Sequence, residues 1–357
     1  MSHLVHGTLH LVNKYTAMLK ELFDNNKNII INTDIDGILS GAILVKALGC
    51  KIVGFTNSKE YVWLADGYDD LYAHIYVDMF VTDDRAICID QHIVAVSDEH
   101  HEKIIKSGSK YSPQIDGKRI FTSDSYKVKY PFGATHYIIA QLESEGIAVD
   151  LPDLSTKVPN SNITLADLIL RADDAMASTV YAYRPNAQNW WQYLKDKAPA
   201  SKLIKGLEDY LENMRAKLIE EMIASGIRNN QRNRDTYLKA SVEKIKGATK
   251  DYFSTQFKCK SSDGGFHNLT DDEGNMFDNV KKYINDVAEA LGVHDIEIPD
   301  HYIIHEGKYH RGSWLPYFEK DLVKDYTFCG HKVFSYAFIY SPSDIGEINF
   351  SFTLDMK

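Results

Sequence analysis

Short apolar runs alternate with amphipathic stretches along the first half of the chain. Runs rich in β-branched residues predict buried strands, at 29–31, 51–56, 74–81 and 86–94. Apolar residues at helical spacing predict helices, at 9–24, 38–49, 133–146 and 163–178. Strands that alternate with helices form βαβ units, in which helices cover both faces of a parallel sheet. The pattern therefore predicts an α/β fold.

After residue 190 the pattern changes. A long, charged amphipathic helix is predicted at 200–225, and a polar, locally basic stretch follows it. Another helix is predicted at 274–292, and strand-like runs return at 301–309, 332–340 and 347–354. We therefore predict three parts, which are a parallel-sheet N-terminal domain (1–190), a helical connector (191–255) and a smaller α/β C-terminal domain (256–357).

Composition and charge narrow the class of protein. The 357 residues are 44% hydrophobic and 25% charged, which is typical of a globular chain, and the net charge of −10 argues against a surface that grips long duplex DNA. The four cysteines form no Cys-x-x-Cys pair, which favours a reducing compartment over a disulfide framework. There is no signal-peptide pattern and no apolar run of about 18 residues, so we expect a cytoplasmic protein without a membrane partner. The sequence does not indicate the oligomeric state.

Acidic residues follow three of the predicted strands. Asp34 and Asp36 follow the first strand, Asp78 ends the third, and Asp90 ends the fourth. Ligands bind beyond the carboxyl ends of the strands in an open parallel sheet, so these carboxylates are expected to converge. Converging like charges need cations, and oxygen ligands with one imidazole, here His92, suit Mn²⁺ or Mg²⁺. The alternative is that Asp34 only caps the next helix and that the other acids are ordinary loop residues.

The spacing of Asp34 and Asp36 suits a pair of metal ions. On an extended segment alternating side chains point the same way, so both carboxylates could reach one metal pair. Two ions roughly 3.5–4 Å apart would bind a phosphoryl group and lower the pKa of a bound water. The residues themselves therefore predict a divalent-metal site with phosphoryl chemistry.

Three motifs resemble those of the DHH phosphoesterase superfamily. The segments NTDIDGILSGAIL, VD and IDQH match in order the family's Asp-x-Asp motif, its lone strand-end Asp and its Asp-His-His signature. The family's further Asp after a helix is matched by Asp173, with Asp174 as the alternative, and the resemblance covers about residues 1–180. The family includes RecJ-type exonucleases, nanoRNases, cyclic-dinucleotide phosphodiesterases, exopolyphosphatases and manganese-dependent pyrophosphatases.

The resemblance implies a role for each matched residue. The implied ligands of two Mn²⁺ (or Mg²⁺) ions are Asp34, Asp36, Asp78 and Asp173. The implied catalytic pair that orients and contacts the phosphate is Asp90 and His92. In the C-terminal part, HRGS (310–313) and CGH (329–331) resemble the phosphate-binding turns of DHH-associated domains, which makes Arg311 and His331 the expected substrate-binding residues.

The chain departs from the family's pattern at two of these motifs. Gln91 stands where the first His of the signature is usually a metal ligand, and Asn32 and Thr33 stand where a His commonly precedes Asp-x-Asp. An amide oxygen can bind a hard cation, but more weakly than an imidazole binds Mn²⁺. We therefore expect weaker binding at one metal position.

The function expected from these residues is hydrolysis of a phosphodiester. The favoured substrate is a short oligonucleotide or the end of a single-stranded nucleic acid. Pyrophosphate, polyphosphate and cyclic dinucleotides are alternative substrates. A different class of function also stays open, in which Gln91 and the missing His mark a catalytically degenerate binding protein with a DHH-type fold.

Overall fold

The fold is seen in a computed structural model, which describes residues 19–120, 128–159, 161–261, 263–294, 296–313, 324–340 and 348–357. The first ten residues of the helix predicted at 9–24 lie outside this set, and the helix is described from Leu19. The described helices are α1 Leu19–Asn25, α2 Ile35–Leu48, α3 Asp98–Ser107, α4 Pro113–Asp116, α5 Ala134–Ser144, α6 Leu165–Ile169, α7 Ala175–Val180, α8 Arg184–Lys197, α9 Lys202–Ala224, α10 Gln231–Phe257 and α11 Asp278–Ala290. Of these helices, none is long and apolar enough to cross a bilayer.

A seven-stranded sheet forms the centre of the fold. Its strands are β1 Asn28–Asn32, β2 Lys51–Thr56, β3 Tyr61–Ala65, β4 Ile75–Val77, β5 Ile87–Ile89, β6 Lys110–Tyr111 and β7 Tyr302–Glu306. They lie in the order β6-β5-β4-β1-β2-β3-β7. The strands from β6 to β2 pair in parallel, whereas β3 and β7 pair antiparallel at one edge. The α/β prediction is confirmed, with a sheet that is mixed and mostly parallel.

The two faces of the sheet are covered differently. Ile29 and Ile31 of β1 belong to the core that includes α2, α5 and the helices from α6 to α11. Ile30 points to the opposite face, as the two-residue period of a strand requires, and shares a core with Phe334 and Tyr336. Helices were expected on both faces, but α3 and α4 share the second face with strands from the C-terminal part.

The C-terminal strands form a second, smaller sheet. Strands β8 Lys308–Ser313, β9 Thr327–Phe328, β10 His331–Tyr340 and β11 Ile348–Leu354 pair antiparallel in the order β8-β11-β10-β9. The strand predicted at 301–309 is divided at Gly307, whose N–H donates to Glu60 O at 2.7 Å. Its first half is β7, which joins the large sheet beside β3, and its second half is β8. Whether residues 256–357 act as one substrate-binding domain stays a prediction.

The helix predicted at 163–178 is two helices. Thr164 caps α6 as a capping box, because its hydroxyl accepts from Asp167 N–H while the Asp167 carboxylate accepts from Thr164 N–H. The helix then ends, and Asp173 adopts a left-handed φ of 49° and bridges to Phe132 before α7 begins. The break turns Asp173 towards the carboxyl edge of the sheet, where the predicted site lies.

Candidate metal centre

The carboxyl ends of β1, β4 and β5 form the floor of a cleft. The chain leaves β1 towards β2 on one side and later returns to β4 on the other side, so the strand order reverses between β1 and β4. Such a reversal opens a crevice at the strand ends. Asp34, Asp78 and Asp90 follow these three strands and line a cleft of about 760 Å³. The crevice therefore lies at the strand ends, where the sequence predicted it.

Asp78, Asp90 and His92 form a group of candidate metal ligands. Each offers one ligand atom, and these atoms all lie within 4.8 Å of one another. Asp78 and Asp90 are buried, and Asp78 has a left-handed φ of 59° while its N–H donates to Ile89 O. Asp tolerates this conformation better than most residues, and such backbone strain concentrates at functional sites.

The His92 ring is oriented by two carboxylates. Its backbone N–H donates to Asp90 Oδ1 at 2.8 Å, and its Nδ1 lies 3.1 Å from the same oxygen. Its Nε2 lies 3.7 Å from Asp173 Oδ2. Burial opposes protonation of the ring, but the negative charges of Asp90 and Asp173 raise the pKa of His92 to about 9. A carboxylate that fixes an imidazole in this way is typical of metal-binding histidines.

Asp34 does not stand on an extended segment with Asp36. The helix α2 begins at Ile35, so Asp34 is its N-cap and accepts from Gly37 N–H at 3.1 Å, while Asp36 lies in the first turn. The prediction that Asp34 and Asp36 stand on an extended segment is therefore wrong, and their implied role as metal ligands stays a prediction. Asp34 does cap the next helix, as the alternative predicted, but it also lines the cleft with Asp78 and Asp90.

The Asp36 carboxylate binds the N-terminus of α5. Its oxygens accept from Ala134 N–H at 2.7 Å, from Thr135 N–H at 2.9 Å and from the Thr135 hydroxyl at 2.7 Å. A Cβ at Gly133 would lie 2.5 Å from Asp36 Oδ1, so only glycine lets the two segments approach this closely. The hydrogen bonds of Asp36 disfavour its implied role as a metal ligand.

Two amide side chains lie between the carboxylates. Asn32 Nδ2 donates to Asp34 Oδ2 at 2.9 Å and to Asp78 Oδ2 at 3.0 Å. Gln91 Nε2 lies 3.2 Å from both Asp36 Oδ2 and Asp78 Oδ1. From the sequence, Asn32 and Gln91 were recognised only as departures from a motif. Their role as hydrogen-bond donors between the acids was not predicted. Asp78 is thus bracketed by N–H donors on both of its oxygens.

Three acids of the cleft resist ionisation, of which Asp78 is buried and Asp34 and Asp173 are half-buried. Burial, reinforced by the charge of Asp263, raises the pKa of Asp34 to about 7. Burial also raises the pKa of Asp173 to about 6, although Lys129 opposes this shift. For Asp78, burial and the neighbouring charges of Asp34 and Asp36 raise the pKa well above its usual value. A cation at this place would remove the cost of ionising these groups.

The residues fit a hard divalent cation. The donor set is carboxylate oxygens with one imidazole, which suits Mn²⁺ or Mg²⁺. Within the described chain, the buried Gln91 Oε1 and Asp173 Oδ2 have no hydrogen-bond partner. Buried polar atoms normally have partners, so these two oxygens are candidates for further ligands of a cation.

Comparisons with models of protein families, with curated proteins and with solved structures gave no match. The DHH resemblance therefore rests on the quoted sequence motifs alone.

Asp173 and Asp174 have separate surroundings. Asp173 lies beside His92, whereas Asp174 Oδ2 forms an ion pair with Lys129 Nζ at 3.1 Å. Lys129 and also Lys246 of α10 lower the pKa of Asp174 against the effect of burial. Of the two neighbours, Asp173 is the one that faces the cluster.

Basic side chains surround the acidic floor of the cleft. They come from segments that are distant in sequence and are Lys59, Lys129, Arg171, Lys246 and Lys260. Sequence reasoning missed all five, because single lysines and arginines carry no local signal and only the fold gathers them. Asp263 was missed for the same reason, although its carbonyl accepts from Ile35 N–H at 3.0 Å beside Asp34.

The two expected substrate-binding residues do not line this cleft. His331 is exposed and forms an ion pair with Asp355 at 2.7 Å. Arg311 is exposed on β8, where the register pairs it with Ser351, which lines the cleft. Arg311 thus shares a sheet face with a cleft residue, but its position and that of His331 give the predicted substrate contacts no direct support.

Proposed function

We propose that this chain is a divalent-metal-dependent phosphoesterase that hydrolyses a phosphodiester. The observation that carries the proposal is the cluster of Asp78, Asp90 and His92 at the reversal of strand order. Carboxylates alone would suit any cation site, but here they share a cleft with five basic side chains. Such a cleft suits a substrate whose phosphate is bound by both a metal ion and protein cations.

The chain's own residues position the reactants. Asp90 holds the His92 ring in one orientation, and both lie with Asp78 where the cation would bind. A bound Mn²⁺ or Mg²⁺ would polarise the phosphoryl group of the substrate and would lower the pKa of a bound water. Lys129 and Lys246 lie on the same side of the cleft, near Asp174, and neutralise the negative charge of the substrate.

The favoured substrate is a short oligonucleotide or the end of a single strand. Its phosphates match the basic wall of the cleft, and the cleft also carries aromatic side chains such as Tyr309 and Phe352 from the small sheet. Cyclic dinucleotides, pyrophosphate and polyphosphate share the phosphate chemistry and are the alternative substrates.

A hydrolysis panel tests this function. The purified chain is assayed with Mn²⁺ or Mg²⁺ against a model phosphodiester, di- to pentanucleotides, single-stranded DNA, cyclic dinucleotides and pyrophosphate. We expect cleavage of the short oligonucleotides, and a loss of at least about 100-fold in Asp78→Asn. The matched control is Asp251→Asn on the exposed side of α10, which should keep full activity. No metal-dependent cleavage of any substrate would refute the function.

The second candidate is a binding protein that has lost catalysis. It is favoured by the Asn32 and Gln91 amides, which already donate hydrogen bonds to the carboxylates that a cation would need. The measurement that separates the two functions is thermal unfolding with and without Mn²⁺. A ligand that binds only the folded state raises the unfolding temperature, so a protein without a metal site would show no such rise.

A further inference from the structure

The Asn32 amide is held in one orientation. Its Oδ1 accepts from Thr33 N–H at 2.7 Å, which places its Nδ2 towards Asp34 and Asp78. A flip of the amide would bring two N–H donors together at Thr33 and would cost both carboxylate contacts. Asn32 is therefore a fixed donor at the point where a cation shared by Asp34 and Asp78 would have to bind.

The Gln91 amide is not held in this way. Its Oε1 has no hydrogen-bond partner among the described residues, although the side chain is 98% buried. Its Nε2 lies 3.2 Å from Asp78 Oδ1, so a flip of the amide turns Oε1 towards the same carboxylate. Without a cation this flip would be repulsive, whereas with a cation Oε1 becomes an additional oxygen ligand.

The Asp36 carboxylate, which the Gln91 amide also contacts, already accepts several hydrogen bonds from the protein. Its two oxygens accept from Ala134 N–H, Thr135 N–H, the Thr135 hydroxyl and Gln91 Nε2. A carboxylate has about four lone-pair positions, and the three contacts from α5 occupy three of them whichever way the Gln91 amide is turned. Asp34 likewise accepts from Gly37 N–H and from Asn32 Nδ2. Asp78 also has two donors, but one of them is the Gln91 amide, which can flip.

We propose that this chain binds one divalent cation, not two. The cation lies at Asp78, Asp90 and His92 with Gln91 Oε1 as a further ligand, and Asn32 Nδ2 stands in place of a second cation between Asp34 and Asp78. The amide supplies two N–H donors where a second ion would supply positive charge. This inference rests on the proposed function in one respect, because both require that the chain binds a divalent cation.

Metal stoichiometry tests the proposal without measuring activity. Isothermal titration with Mn²⁺, checked by the loss of free Mn²⁺ signal in electron paramagnetic resonance, should count one ion per wild-type chain. Asn32→Asp replaces the donor with a carboxylate of the same shape that keeps the contact to Thr33, and it should bind two ions. The control is Ser58→Asp, which adds a carboxylate elsewhere in the cleft at a left-handed position that Asp tolerates, and it should bind one.

Gln91→Leu provides a second variant that does not depend on the folding of Asn32→Asp. It removes the proposed oxygen ligand at similar volume and should weaken Mn²⁺ binding at least about tenfold, with an unchanged circular dichroism spectrum. Two ions in the wild type would overturn the single-ion proposal while leaving the phosphoesterase function intact. No bound ion would overturn both. One ion in Asn32→Asp, or unchanged affinity in Gln91→Leu, would refute the role given to that amide.

Discussion

The Asp36 carboxylate accepts two hydrogen bonds from Thr135, one from the backbone N–H at 2.9 Å and one from the hydroxyl at 2.7 Å. This contact joins the first turn of α2 to the first turn of α5 across 99 residues of chain. The negative carboxylate also faces the positive end of the α5 dipole. Asp36 therefore ties two helices together, whereas Asp78, which follows β4, lies in the candidate metal cluster with Asp90 and His92.

Removal of the Asp36 carboxylate should destabilise the protein. Asp36→Ala leaves the N–H groups of Ala134 and Thr135 buried without an acceptor, which should lower the free energy of unfolding by about 2–4 kcal/mol. Urea denaturation measures this as a lower midpoint at an unchanged slope. Asp251→Ala, at an exposed position of α10, is the control and should change stability by less than about 0.5 kcal/mol. Equal stability of the two variants would contradict the structural role.

Two glycines should respond to alanine with opposite signs. Gly133→Ala places a Cβ 2.5 Å from Asp36 Oδ1 and should destabilise the fold by about 1–3 kcal/mol. Gly247 lies within α10 with no atom within 4 Å of the added Cβ, so Gly247→Ala should stabilise by about 0.5–1 kcal/mol. Thermal unfolding of both variants checks the pair, and a destabilised Gly247→Ala would show that α10 packs more tightly than described.

The central strands could be predicted because the apolar residues that mark each strand lie within the strand itself. The apolar run in β1 is sufficient to indicate a buried strand, and the structure confirms it as Asn28–Asn32. The break before α7 was missed, because the apolar spacing continues through it and the left-handed Asp173 is held by its bridge to Phe132. The pairing of β7 with β3 was also missed, since a strand's sequence does not name a partner that lies far away along the chain.

The sequence could predict only those site residues whose positions follow from the carboxyl ends of the strands. The rule for carboxyl ends found Asp78 and Asp90, which the fold brings together with His92. The tie between Asp36 and α5 was not predictable, because it depends on where a distant helix begins. The basic wall of the cleft likewise combines Lys129 with Lys246 of the helical connector, and no spacing rule relates these two residues.

The metal-free protein should lose stability as the pH rises towards 7. The pKa of Asp34 is raised from 3.8 to about 7 in the folded chain, so between these values the folded chain holds a proton that the unfolded chain has released. Stability then falls as the pH rises through this window and levels off above it. In EDTA, the unfolding temperature of the wild type minus that of Asp34→Asn should therefore decrease from pH 4 to pH 8. A constant difference would contradict the raised pKa.

Lys246 should contribute to substrate binding more than to the chemical step. It lies on α10, lines the cleft, and is close enough to Asp174 to lower the pKa of that acid. Its Nζ also forms a loose ion pair with Glu243 Oε1 at 3.8 Å. A partly solvated lysine that contacts a phosphate away from the scissile bond stabilises the bound substrate and the transition state equally, and such uniform binding changes KM but not kcat.

Lys246→Ala should therefore raise KM for an oligonucleotide about 3–10-fold, equivalent to about 0.7–1.4 kcal/mol, with kcat within about twofold. The dependence of kcat/KM on salt should also weaken, because one phosphate contact is lost. Lys250→Ala, one turn further along α10 and exposed, is the matched control and should leave KM unchanged. A fall in kcat at constant KM would instead place Lys246 at the reacting phosphate, since only an interaction made in the transition state has that signature.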